Sequence, residues 1–109
     1  MNLRKYRNNE EVFNGKKLTV NISLNTVLKK KKKGWPVYTR VTYNRITTRF
    51  RSVFIPEYYE KNEDIPSDLK LKEKEMVMNA FKNYSFNEEL SILGIIAKHL
   101  DTIDVFNID

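Results

Sequence analysis

The chain contains no cysteine. A disulfide framework and a cysteine-bound zinc are both excluded, and the composition suits a reducing compartment. There is one histidine, His99, so no second imidazole can complete a metal site. The three glycines, Gly15, Gly34 and Gly94, are too scattered to form a phosphate-cradling loop. Apolar runs last only a few residues, which leaves nothing that spans a membrane. The opening MNLRKYRNNEE lacks the apolar centre of a secretory signal. These absences predict a cytoplasmic protein without membrane contact.

Acidic residues are scarce in one half. Up to Pro56 there are fourteen lysines and arginines against two acids, Glu10 and Glu11. From Glu57 onward six lysines face twelve acids. The formal net charge of +6 therefore hides two halves of opposite sign. An ordinary basic surface would scatter its cations. Here they coincide with predicted strands, and the first half reads as the partner of a polyanion.

The 109 residues suit one small domain, and a hydrophobic share of 40% supports one modest core. Residues 1–16 read as a flexible, polar, basic lead-in with an Asn14-Gly15 turn. The period then becomes two: Leu18, Val20, Ile22 and Leu24 alternate with Thr19, Asn21, Ser23 and Asn25. Lys29 to Gly34 form a like-charged loop. A second strand follows Pro36, with Val37, Thr39, Val41 and Tyr43 on one side and Tyr38, Arg40 and Thr42 on the other. Asn44-Arg45 makes a short turn. A third strand puts Ile46, Thr48, Phe50, Ser52 and Phe54 inward and Thr47, Arg49 and Arg51 outward.

Pro56 ends the sheet region, and Glu57 to Lys61 suit one helical turn. Asn62 to Pro66 read as a linker. Ser67 or Asp68 can cap a helix to about Tyr84, striped by Val77, Ala80, Phe81 and Tyr84. Asn87 can cap a second helix, with Glu88 and Glu89 in its first turn. Leu90, Leu93, Ala97 and Leu100 form one stripe of that helix, and Ile92, Ile95, Ile96 and Ile103 widen it. A helix so apolar needs two partners, the sheet and the first helix. The expected fold is α+β: a three-stranded antiparallel sheet over residues 17–55, packed against C-terminal helices within 57–104, with its outer face open. Residues 17–109 form one domain.

Catalysis has little to work with. His99 reads as a partly exposed surface or interface residue. Glu63-Asp64 and Glu88-Glu89 read as linker and helix-start charge, without the desolvated cleft that general acid–base work needs. The expectation is a chain that is not itself an enzyme, with no cofactor, metal or small-molecule substrate.

The predicted outer face carries hydrogen-bonding side chains almost throughout, and none is acidic. Arginine can grip guanine through two bonds and asparagine can grip adenine. Hydroxyls suit phosphate oxygens. A β-ribbon fits the major groove. Candidate contacts are Asn21, Ser23, Tyr38, Arg40, Thr42, Arg45, Thr47, Arg49 and Arg51. Lys29, Lys30, Lys31, Lys32 and Lys33 would supply the sequence-independent, salt-sensitive attraction. Readers of single-stranded RNA stack bases on exposed sheet aromatics, and here only Tyr38 is predicted outward, with Trp35 at the strand entrance. Double-stranded DNA is the expected partner. The rival readings are an RNA binder and a protein-interaction module working through the acidic helical half.

The stretch GWPVYTRVTYNRITTRFRSVFIPEYYEK resembles the N-terminal arm-type DNA-binding domain of tyrosine recombinases, the phage-integrase family of conjugative transposons. Val37, Tyr38, Arg40, Val41, Phe50, Pro56 and Tyr59 carry the likeness, which covers about residues 17–60; the ending HLDTIDVFNID is similar to the stretch that closes the module. The resemblance implies binding to arm-type DNA sites, contact with other integrase protomers, and membership of a longer integrase whose chemistry resides in a separate catalytic domain. Two features depart from the pattern: Asn44-Arg45 stands where Asn-Gly is usual, and the helical segment is longer.

Overall fold

The computed structural model describes residues 10–27, 32–84 and 89–103. Strands β1 (Glu10–Phe13), β2 (Lys16–Leu24), β3 (Trp35–Tyr43) and β4 (Ile46–Arg51) form an antiparallel sheet in sequence order. A short β5 (Tyr58–Tyr59) pairs with the start of β3. Helices α1 (Ser67–Tyr84) and α2 (Ile92–Ile103) follow. The α+β architecture with an open sheet is as expected, but the described residues form five strands rather than three.

The alternation on β2 and β3 sets the layers. Leu18, Val20 and Ile22 are buried together with Val37, Thr39 and Val41. Met76, Val77, Ala80 and Phe81 of α1 and Ile92, Ile95, Ile96 and Leu100 of α2 close over the Leu18–Val20–Val41 part of that face. The rings of Tyr43 and Phe81 meet at 4.7 Å between centroids. Apolar side chains spaced three and four apart on each helix thus meet a period-two face, and burial of that contact drives the fold. A second cluster, Ile22, Val37, Ile55 and Ile65, fills the other end of the sheet. Ile65 lies in the expected linker, next to a 3₁₀ turn at Asn62–Asp64.

Several elements depart from the sequence reading. Part of the expected lead-in, Glu10–Phe13, pairs with Lys16–Thr19 as β1. Both residues of its turn, Asn14 and Gly15, have positive φ, at 52° and 74°. That is the twist a two-residue hairpin requires. The expected helical turn after Pro56 is a strand instead. Gly34, at φ 114°, presents bare backbone where a Cβ would run into the Tyr59 carbonyl, so the chain packs there as β5. The second helix begins at Ile92 with Ser91 as cap: its Oγ accepts the Gly94 N–H at 3.0 Å. Asn87, the expected cap, lies outside the described residues. Strand β4 stops at Arg51, short of the expected run to Phe54.

The reason β4 stops is Glu73. This α1 side chain has no exposed surface. Its carboxylate accepts hydrogen bonds from the Val53 N–H at 3.0 Å, the Phe54 N–H at 2.9 Å, the Ser52 hydroxyl at 2.9 Å and the Thr39 hydroxyl at 3.0 Å. The backbone donors that would continue a strand are turned inward to the helix, and four neutral donors replace the water that a buried charge loses.

Candidate nucleic-acid interface

The opposite face of the sheet is built by register. Asn21 pairs with Arg40, and Arg40 with Arg49. One step along, Ser23 pairs with Tyr38 and Tyr38 with Arg51. On the other side, Thr19, Thr42 and Thr47 form a third row, where the Thr42 and Thr47 hydroxyls are 2.9 Å apart. Side chains two apart share a face, so these rows stand together on the side away from the helices. With strands about 4.8 Å apart, one row spans roughly 10 Å, against a major groove roughly 12 Å wide.

The sites within this set differ. Arg40 and Arg49 are exposed and stand directly opposite one another, and among the described residues no acid pairs with either. Like charges so placed repel, at a cost of roughly 0.2–1 kcal/mol. Arg51 is half-buried and already engaged. Its guanidinium donates to the Pro56 carbonyl and lies 5.0 Å from the Tyr58 ring centroid. It anchors the chain after β4. Arg45 is exposed at the hairpin tip with φ 68°, and Asn44 before it has φ 52°. The turn therefore keeps the geometry of Asn-Gly with a side chain where glycine is usual. Lys32 and Lys33 are exposed beside Gly34, whereas Lys29, Lys30 and Lys31 lie outside the described residues.

The face is not wholly free of acid, because the added strand β1 brings Glu10 opposite Thr19. Glu10 is 3.3 Å from the Lys17 ammonium, so the carboxylate is compensated at the edge, away from the arginine row. Val12, on the same strand, is 66% exposed.

Next to the arginine row lies a cleft of about 430 Å³, lined by Tyr38, Arg40, Arg49 and Asn21 together with Asn25 and its neighbours to Val27. The Asn25–Val27 segment is held in place. The Asn25 N–H donates to the Pro36 carbonyl at 2.8 Å, and the Asn25 Oδ1 accepts the Val27 N–H at 3.1 Å. The Leu24 N–H donates to Asn62 Oδ1 at 3.0 Å. Sequence reasoning put Asn25 on the outer face but did not foresee the wall. The only available signal was Asn25-Thr26, polar residues that favour local side-chain turns.

His99, expected as a partly exposed surface or interface residue, is instead buried. It is 6% exposed, 6.2 Å between ring centroids from Tyr84, and its burial lowers the imidazole pKa. It belongs to the helical core, away from the open face. No helix among the described residues is long and apolar enough to cross a membrane.

Comparison with family models, with curated proteins and with solved structures gives no match. The likeness to recombinase arm domains therefore rests on the sequence motifs alone.

Proposed function

We propose that the open sheet face binds double-stranded DNA, and that the chain serves as the non-catalytic arm-binding module of a site-specific tyrosine recombinase. One observation carries the DNA part: three adjacent strands bring Asn21, Arg40 and Arg49 into a single row with no acid in it. Such a row offers donors for base edges and phosphates at the width of a groove. Lys32 and Lys33 extend the cationic surface at the entrance to β3. The recombinase part follows from Val37, Tyr38, Arg40, Val41, Phe50, Pro56 and Tyr59, as do the arm-type sites, the other integrase protomers as partners, and cytoplasmic action on the element's DNA. Arg51 acts by holding the Pro56–Tyr58 segment, and Arg40 and Arg49 make the contacts.

Fluorescence anisotropy with labelled duplex tests this. Arg49→Ala weakens binding by about 1–3 kcal/mol and relaxes preference at one base position if the side chain reads a base. If it grips a phosphate, affinity falls alike for all duplexes and the salt slope drops by about 0.9. Undiminished affinity for every duplex in the Arg40→Ala, Arg49→Ala double variant would reject the interface. Preference for single-stranded RNA in direct competition would reject the choice of DNA.

A further inference from the structure

A groove-reading ribbon needs a projecting strip of side chains, and the cleft beside the arginine row is not explained by that need. Its volume of about 430 Å³ falls within the range of small-ligand sites, roughly 300–1,000 Å³. Its lining is of two kinds. Arg40 and Arg49 stand opposite one another with no acid paired to either among the described residues, so an oxyanion between them would replace repulsion with two charge-assisted contacts. Tyr38 adds an aromatic ring, and Asn25 and Val27 line the same cleft on a segment tied by the Asn25 N–H to the Pro36 carbonyl and by the Val27 N–H to Asn25 Oδ1. A flat ring, an apolar contact and amide groups beside paired guanidinium groups match a base joined to a phosphate.

We infer that this cleft takes one nucleotide turned out of the stack of the bound nucleic acid, with its phosphate at Arg40 and Arg49 and its base between Tyr38 and the Asn25–Val27 wall. This rests on the reading of the sheet face as a nucleic-acid interface and names the unit it accepts. The wall is held before binding, so the site pays little ordering entropy. The unstacking is the main cost, and it is least at a mismatch or a single-stranded end.

The test is an amide NMR titration of the whole chain with deoxynucleoside 5′-monophosphates, deoxyribose 5-phosphate and inorganic phosphate. A mononucleotide should shift the amides of Ser23, Asn25, Val27 and Tyr38, and bind about tenfold or more tighter than the sugar phosphate, as one base–aromatic contact would give. Tyr38→Leu should erase that advantage while leaving phosphate binding, and Arg40→Gln with Arg49→Gln should remove both. The inference is overturned by sugar phosphate binding as tightly as the nucleotide, by shifts confined to other residues, or by an unaltered advantage in a folded Tyr38→Leu. Duplex binding measured on the same protein separates the two claims. Duplex bound without any mononucleotide response ends this inference and leaves the interface standing. A mononucleotide response without duplex binding keeps the cleft and ends the duplex reading.

Discussion

The two faces of the sheet treat charge in opposite ways. On the inner face one carboxylate, Glu73, is completely buried and has no cation among the described residues, yet four neutral donors saturate it. On the outer face two guanidinium groups, Arg40 and Arg49, are exposed and have no acid among the described residues. A buried charge survives only when its lost hydration is replaced in full, so Glu73 is committed to the fold. An exposed charge keeps its water and needs no partner, so Arg40 and Arg49 remain available to a ligand. The contrast separates residues that hold the domain from residues that can act, and it makes different predictions for each.

The largest effect should come from Glu73→Ala. It leaves the buried hydroxyls of Thr39 and Ser52 and the part-buried N–H groups of Val53 and Phe54 without their acceptor, at about 3–5 kcal/mol of stability in urea unfolding. Glu73→Gln keeps one acceptor oxygen but turns an NH₂ toward donors, and should recover only part of the loss. A loss under about 1 kcal/mol in the alanine variant would mean that water takes the carboxylate's place, and the inner charge would no longer be structural.

The two faces were also unequally legible in the sequence. The outer row could be read because it follows from alternation alone: once Leu18, Val20 and Ile22 go inward, Thr19, Asn21 and Ser23 must go outward. Glu73 could not be read. It sits in LKLKEKEMV, where alternating charge looks like a solvated helix surface, and its partners, two backbone N–H groups and two hydroxyls, lie 19 to 34 residues away where no local pattern reveals them. The same holds for β5, fixed by the bare backbone of Gly34, and for the cleft wall, fixed in part by Asn62. Arg51 looked equivalent to Arg49 by alternation; only the return of the chain at Pro56 and Tyr58 takes it out of the open set. Local periodicity was visible, and contacts closed by distant backbone were not.

A smaller effect should come from the hairpin tip that joins the two arginine-bearing strands. Asn44-Arg45 adopts positive φ values close to those of Asn14-Gly15, 52° and 68° against 52° and 74°, but a side chain at φ 68° crowds its own carbonyl. Arg45→Gly should relieve that strain and raise stability by about 1 kcal/mol, less whatever the unfolded chain gains in freedom. Thermal unfolding reads the gain. The variant also removes a cation from the outer side without touching the Asn21–Arg40–Arg49 row. A variant that is more stable yet as tight on duplex would confine the working surface to the row. Equal loss of affinity with Arg49→Ala would extend that surface to the tip.

The smallest effect is on the row itself, and it has the opposite sign to Glu73. Arg40 and Arg49 face one another across the β3–β4 pair, so each contributes repulsion to the free protein. Removing either should leave stability unchanged or raise it by roughly 0.2–1 kcal/mol, and removing the second should add little more, because the repulsive partner is already gone. A double-mutant cycle in urea at low and high salt measures this coupling. It should shrink as salt rises, since exposed charges are screened within about 10 Å at 0.1 M. A row that destabilises the free domain yet strengthens its hold on an anion has its charges set for binding. A cycle with favourable coupling would instead show that the two guanidinium groups support the sheet, and the division of labour between the faces would fail.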